Sequence, residues 1–202
     1  MRSRTSLLLF PVIALLFTLF MWASVTIAAP PSLKGDYAFT DAASCLISTT
    51  VKGGVAQSPS GFTADLEVNG PSFIQSSSTQ GDRTFNGDGT GTVSGTTVTI
   101  TYDNGSPSGG SAQFTFSFTY VVHPDGTFTT NVVPGSYSGT IIAGPGTGLT
   151  FTIDNIPVAG TASKDNKTLT LATASPTVET VTISNGDVQE RICHRSSVLI
   201  LR

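Results

Sequence analysis

Hydrophobic and polar residues alternate with a period of two over many stretches beyond residue 32. The clearest run spans residues 113–122, where aromatic side chains occupy every second position and polar residues lie between them. Such alternation is typical of a β-strand with one buried face. The aromatic positions are Phe114, Phe116, Phe118 and Tyr120. We therefore predict that this stripe is buried, either as ordinary core or as the ligand-facing wall of a cavity.

The same pattern predicts a series of short strands joined by tight turns, about nine to eleven in number. The predicted strands and hairpin arms span residues 33–40, 45–51, 62–68, 72–75, 83–85, 92–94, 96–102, 113–122, 137–142, 149–153, 157–161, 168–172 and 177–195. Residues 45–51 either continue the first strand or form a separate one, and residues 103–110 are predicted as a loop. No stretch beyond the amino-terminal segment has helical periodicity. The chain is therefore predicted to be an all-β, antiparallel meander.

Two turns carry specific sequence signals. His123-Pro124-Asp125-Gly126 combines a proline that presets φ with a glycine that accepts a left-handed conformation. A three-residue loop there would pair Val122 with Phe128 on the following strand. The dipeptide Asn185-Gly186 favours a second hairpin within residues 177–195.

The register of that second hairpin decides whether a polar interior site exists. A two-residue loop would place Glu179, Glu190 and His194 on one face of the hairpin. A three-residue loop would instead pair Glu179 with Arg191 as a cross-strand ion pair. Because a slip of one residue exchanges the two faces of a strand, the sequence alone leaves both arrangements open.

Residues 1–28 are predicted to be a secretory signal peptide. Arg2 and Arg4 precede a long apolar run, and Thr26-Ile27-Ala28 supplies small residues at the predicted cleavage site. The length of the apolar run keeps an uncleaved anchor as the alternative. Residues 29–202 are then one exported β-domain, periplasmic or extracellular, without a stable membrane span.

The two cysteines, Cys45 and Cys193, lie near the two ends of that domain. In an exported protein such a pair is most simply a disulfide. The bridge would place the first strands beside the last, which favours a closed β-barrel of lipocalin-like architecture, since closure removes the exposed sheet edges. A β-sandwich is the alternative.

Charge excludes one large class of partners. Removal of the signal segment takes away two of the 10 Lys and Arg residues, so 8 remain against 13 Asp and Glu, a net charge of −5. With no basic run, nucleic acid is not an expected partner. Two histidines far apart in sequence and an Asn86-Gly87-Asp88-Gly89 turn without a terminal acid indicate no metal site, and no cofactor motif is present.

Several segments together resemble an uncharacterised family of exported bacterial all-β proteins. The segments are LKGDYAFT, RTFNGDGTGTVSG, HPDGTF, IDNIPVAG, NKTLTLAT and TVETVTISNGDVQERICHRS. The resemblance covers most of residues 33–198. It implies export and a single β-domain, and it brings no known activity, cofactor or catalytic residue.

Three functions follow as hypotheses. The preferred one is non-catalytic binding of a small apolar ligand, or of a partner, within the barrel. The second is a structural or interaction module of the cell envelope with a filled core. The third is an isomerase-like barrel enzyme in which Glu179, Glu190 or His194 transfers protons from an apolar interior.

Overall fold

The computed structural model describes residues 32–103 and 105–202, so the predicted signal peptide lies outside the described residues. Within these ranges the chain forms twelve β-strands and no helix, as the alternating pattern predicts. The strands are β1 (Lys34–Lys52), β2 (Val55–Ala56), β3 (Phe73–Asn86), β4 (Thr90–Asp103), β5 (Ser106–Val122), β6 (Thr127–Val132), β7 (Ser138–Ala143), β8 (Thr150–Asp154), β9 (Pro157–Ala162), β10 (Thr168–Thr173), β11 (Val178–Ile183) and β12 (Val188–Leu201).

All strands belong to one antiparallel sheet that closes on itself. Eight strands form a ring in the order β1-β3-β4-β5-β6-β9-β10-β12, and the pairing of β12 with β1 closes it. Closure pairs the edges that an open sheet would expose. The first and last strands of the domain are therefore neighbours, as the cysteine positions predict.

Strands β5 and β12 each divide between two neighbours. The carboxyl-terminal half of β5 pairs with β6, and its amino-terminal half pairs with β7. Likewise β12 pairs with β10 over its last residues and with β11 over its first. A second closed path of eight strands therefore runs through β7, β8 and β11 at the other end of the cylinder. We call the end completed by β6, β9 and β10 the packed end, and the end completed by β7, β8 and β11 the hollow end.

Several strands are much longer than the sequence pattern predicts. Residues 72–75 and 83–85 belong to one continuous strand, β3, and residues 92–94 and 96–102 belong to β4. The first strand runs unbroken through Cys45, and β5 begins inside the predicted loop 103–110. The predicted breaks fall where polar or small residues occupy inward positions, because the hydrophobic alternation fades there while the backbone pairing continues.

One predicted strand does not form. Residues 62–68 alternate in polarity, yet they make a single bridge, between Phe62 and Val68, and no ladder. The segment turns back on itself: Leu66 N donates to Thr63 O at 3.0 Å, and Leu66 has a φ of 64°. The strand prediction was therefore wrong, because alternation without a neighbouring strand does not make a sheet.

Aromatic side chains fill the packed end. The Phe85 ring contacts the rings of Tyr37, Phe118 and Tyr120 in edge-on geometry, with centroids 5.0–5.5 Å apart. Glycine makes room for one of these rings, since a Cβ on Gly91 would lie 2.3 Å from Phe118 Cζ. Tyr120 Oη donates to the carbonyl oxygen of Leu33 at 2.5 Å. This end is closed by packed rings and by a satisfied tyrosine hydroxyl.

The two predicted turns have three-residue loops. In the first, Val122 pairs with Phe128, which confirms the predicted register. In the second, Glu179 pairs with Arg191, so the three-residue alternative is the one that forms. Gly186 takes a φ of 91°, a left-handed value that glycine adopts without a steric penalty.

The predicted disulfide joins Cys45 to Cys193, which face each other across the seam between β1 and β12. Its sequence separation is 148 residues. In the chain-entropy description, such a closure stabilises the fold by about 5 kcal/mol. The bond is compatible with an oxidising compartment.

Candidate functional site

The hollow end contains a cavity with a volume of ≈ 410 Å³. Small-molecule sites commonly have volumes of roughly 300–1,000 Å³. The lining begins beside Phe39 and Leu199 of the packed core and reaches Phe73, Ala143 and Ile183, which are terminal residues of their strands. The cavity therefore runs from the middle of the cylinder to the rim of the hollow end.

One wall of the cavity is apolar. Three stacked rings form its centre, with Phe114, Phe116 and Tyr137 at centroid distances of 5.3–6.1 Å and interplanar angles of 11–13°. Further apolar side chains extend the wall: Phe151, Ile153, Ile156, Val181 and Ile183. An aromatic or aliphatic group can lie against this surface.

The aromatic stripe of β5 is therefore divided between two environments. Phe118 and Tyr120 are buried in the packed end. Phe114 and Phe116 are partly buried and line the cavity. The core interpretation fits Phe118 and Tyr120, whereas the ligand-facing role of Phe114 and Phe116 stays a prediction.

The wall formed by β3 and β4 is polar. Its inward side chains are Gln75, Ser77, Thr79, Thr97, Thr99 and Thr101. Some of them bond to one another, since Thr79 Oγ1 donates to Thr97 Oγ1 at 3.0 Å and Gln75 Nε2 donates to Thr101 Oγ1 at 3.1 Å. The cavity thus presents hydroxyl and amide groups opposite an apolar face.

A buried ion triad borders the cavity: Arg191 and Arg195 belong to its lining, and both bond to Glu179. Glu179 is 2% exposed. Its Oε2 accepts hydrogen bonds from Arg191 Nε at 2.8 Å and from Arg195 Nη2 at 2.7 Å, and its Oε1 bonds to Arg195 Nη1. Cys193 Sγ contacts the same carboxylate at 3.9 Å. Two guanidinium groups thus compensate one buried carboxylate, and the triad carries one net positive charge.

The other two predicted acid–base candidates point away from the interior. Glu190 Oε2 accepts a hydrogen bond from Phe62 N at 3.1 Å and so holds the loop that packs outside the ring. His194 is exposed and lies in a shallow outer groove beside Pro176. The cluster expected from the two-residue loop is not formed, because the three-residue loop puts Glu179 on the opposite face from Glu190 and His194.

Two charged residues that the sequence interpretation did not select lie in the cavity. Asp41 and Arg83 are both lining residues. Ser197 Oγ donates to Asp41 Oδ2 at 2.5 Å. The Arg83 guanidinium lies over the Phe118 ring, with Cζ 4.9 Å from the ring centroid. Strand parity could have identified both, because Asp41 is two residues beyond Phe39 and Arg83 two before Phe85.

Burial changes the ionisation of these groups. It raises the pKa of Asp41 above the ordinary value, although Ser197 and two nearby arginines oppose the change. Burial also lowers the pKa of Arg83 to about 10, although the nearby Asp41 carboxylate acts to raise it. The guanidinium therefore stays charged at neutral pH. Burial likewise raises the pKa of Tyr137, which keeps that hydroxyl protonated and able to donate a hydrogen bond.

Residues 32–103 and 105–202 contain no group of three or more His, Cys, Asp or Glu side chains that could hold a metal ion. In the same ranges, no helix has the length and apolar character needed to cross a membrane.

Comparison with known proteins adds little. No protein-family model and no curated protein matches the chain. A similar solved structure is the enduracididine biosynthesis enzyme MppR, complexed with the condensation product of pyruvate and imidazole 4-carboxaldehyde. It shares 9% identity over 88% of this chain and 90% of that chain, with a TM-score of 0.19. A likeness this low carries no argument about fold or function.

Proposed function

We infer that the protein is an exported binding protein that holds a small amphipathic organic molecule inside the hollow end, without catalysing a reaction. The observation that carries this proposal is the ≈ 410 Å³ cavity with an aromatic wall on one side and hydroxyl and amide groups on the other. A ligand with an apolar body and a polar group is complementary to both walls.

The packed end supports this interpretation over that of a structural module with a filled core. The same cylinder is filled tightly around Phe85, so the fold does not impose a void. Side chains that line a cavity of this size make fewer dispersion contacts with one another than those of a close-packed core. A ligand that occupies the cavity would make contacts of the same kind.

The ion triad supports binding over proton transfer. Both oxygens of Glu179 accept hydrogen bonds from arginine, so neither is free to act as a base. Glu190 is engaged by a backbone amide outside the ring, and His194 also lies outside it. The groups expected to do acid–base chemistry are therefore engaged or remote from the cavity.

The proposed setting follows from the signal segment and the disulfide. Residues 1–28 would direct export and be removed. The Cys45–Cys193 bond would persist in the periplasm or outside the cell.

The test is binding of a neutral apolar probe, N-phenyl-1-naphthylamine, whose fluorescence rises in an apolar site. The informative variant is Ser77→Trp, because Ser77 lines the cavity and an indole there occupies the space. The matched control is Ser78→Trp, on the exposed face of the same strand.

We expect one probe molecule per chain in the wild type and in Ser78→Trp, and at least about tenfold weaker binding in Ser77→Trp. Absence of binding in the wild type would refute the proposal. So would equal binding to both tryptophan variants, which would place the probe on the surface.

A further inference from the structure

We propose that the molecule held in the cavity is an organic monoanion, such as a carboxylate, whose acidic group binds the guanidinium of Arg83. This inference rests on the proposed binding function and adds the chemical class and the orientation of the ligand.

The first support is an unsatisfied donor. Arg83 Nη1 is buried and has no hydrogen-bond partner among the residues that the structure describes. Buried polar groups are nearly always paired, and a charged donor without a partner is especially unfavourable. A carboxylate is the natural complement, since the planar guanidinium can donate two parallel hydrogen bonds to it.

The second support is that the other two arginines are already engaged. Arg191 and Arg195 both donate to Glu179. Arg83 forms no such ion pair in the described ranges, and Asp41 attracts it without a salt bridge. Asp41 in turn accepts a hydrogen bond from Ser197. Among the three arginines of the cavity lining, Arg83 is therefore the one whose guanidinium is not ion-paired within the described residues.

The third support is the charge balance. The described residues contribute three arginines (Arg83, Arg191 and Arg195) and two acids (Asp41 and Glu179) to the cavity lining and the ion triad that borders it. Three positive charges against two negative ones leave a net charge of +1. One carboxylate would neutralise it, whereas a doubly charged phosphate monoester would leave an excess negative charge. A buried site favours the neutral total.

The position of Arg83 sets the orientation. Arg83 lies at the inner end of the cavity, because its ladder partners Tyr37 and Val93 belong to the packed core. The rim lies at the opposite end of the lining. The acidic group would therefore enter first, and the apolar body would extend outward along Phe114 and Phe116.

Tyr137 can assist this arrangement. Its ring lines the cavity, and its hydroxyl stays protonated as described above. The same tyrosine thus offers an aromatic face to the body of the ligand.

The experiment compares two competitors that differ in charge alone. 6-Phenylhexanoate and its neutral analogue 6-phenylhexanamide are used to displace N-phenyl-1-naphthylamine from the wild type, Arg83→Met and Arg202→Met. Arg202→Met is the matched control, since Arg202 is an exposed arginine that pairs with Asp82 outside the cavity. Near-ultraviolet circular dichroism checks that each variant is folded.

We expect the wild type and Arg202→Met to bind the carboxylate at least about tenfold more tightly than the amide. In Arg83→Met this preference should fall to about twofold or less, while binding of the amide changes little. Arg83→Lys, which keeps the charge but loses the planar fork, should show an intermediate preference. It also provides the test if Arg83→Met does not fold.

The two proposals fail in different ways. If the probe binds but the wild type does not distinguish carboxylate from amide, the Arg83 inference is refuted and the binding function stands. A preference that survives in Arg83→Met also refutes the inference. If neither the probe nor a competitor binds, both proposals are refuted.

Discussion

The packed end and the hollow end share strands β1, β3, β4, β5 and β12, and along the first four of these they differ in the size of the side chains that point inward. One layer across these strands in the packed end alternates small and large residues: Gly35, Phe85, Gly91 and Phe118. A layer in the hollow end contains small residues at all four positions: Ala43, Ser77, Thr99 and Gly110. The backbone pairing is the same in both layers. Along these four strands, side-chain volume therefore distinguishes the filled layer from the layer that lines the cavity.

The ends also differ in how they accommodate polar groups. The packed end buries tyrosine hydroxyls with backbone partners, such as Tyr37 Oη on the Asn166 carbonyl oxygen at 2.6 Å. The hollow end buries charges, of which the Glu179 triad is compensated and Arg83 Nη1 is not. Buried polar groups in a stable core are nearly always hydrogen-bonded. Arg83 Nη1 departs from this rule, and it lies where the proposed ligand would bind.

The largest expected difference between the two ends concerns their phenylalanines. Phe118→Ala should lower the free energy of unfolding by about 3–5 kcal/mol, because the ring is fully packed. Phe116→Ala should lower the free energy of unfolding by about 1–2 kcal/mol, since the ring borders the cavity and makes fewer contacts. Urea unfolding monitored by circular dichroism measures both. Equal losses would mean that the hollow end is packed in solution.

The ion triad should behave as a compensated buried charge cluster. Glu179→Gln should destabilise the protein by about 3–4 kcal/mol, because it leaves two buried guanidinium groups without their anion. The control is Glu190→Gln, which keeps an acceptor for Phe62 N and should cost about 1 kcal/mol or less. Chemical denaturation at pH 7 measures the two variants. A loss below about 1 kcal/mol in Glu179→Gln would contradict the description of the triad as a structural unit.

The smallest expected effect is a difference in pH dependence between two aspartates. Burial raises the pKa of Asp41, so the folded protein binds its proton more tightly than the unfolded chain does. The resulting stabilisation is fully present below the ordinary value of 3.8 and is lost as the pH rises through the raised pKa of the folded state. Relative to Asp41→Asn, the wild type should therefore become less stable as the pH rises from 4 to 7.

Asp88 provides the opposite case. Hydrogen bonds from Thr90 lower its pKa, so its contribution is present above the ordinary value and is lost as the pH falls through the lowered one. Thermal unfolding should be compared for wild type and Asp41→Asn from pH 4 to 7, and for wild type and Asp88→Asn below about pH 4, and the two stability differences should change with opposite sign as the pH rises. If the stability difference between wild type and Asp41→Asn did not change from pH 4 to 7, Asp41 would be solvated rather than buried in the cavity.

Much of the fold could be predicted from local patterns. The all-β class, the loop of residues 124–126 and the Cys45–Cys193 bond all follow from alternation, turn chemistry and cysteine count. The fold class and the turn depend on residues close in sequence. The disulfide depends on two cysteines that have no other cysteine to pair with. The prediction was weakest for strand length, because Asp41 and Ser77 interrupt the hydrophobic pattern while still lying inside strands.

The candidate site could not be predicted because it depends on long-range pairing. The residues that obscured the long strands are the same ones that line the cavity, so the sequence signal for a strand failed where the site begins. The Asn185-Gly186 turn fits two registers, and a single residue of slip decides whether Glu179 faces its arginines. The partner-free nitrogen of Arg83 is visible only once β1, β3, β4 and β5 are side by side.

The seam between β1 and β12 also determines how the molecule can be held in place. Tyr37 lies opposite Leu201, and Arg202 N donates to Asp36 O at 3.0 Å, so both ends of the described chain emerge from the packed end. The rim of the cavity is at the other end of the cylinder. A tether or fusion attached at residue 32 or at residue 202 would therefore leave the cavity mouth facing away from the attachment point. Immobilising the protein on a sensor surface through either end should leave ligand access unobstructed.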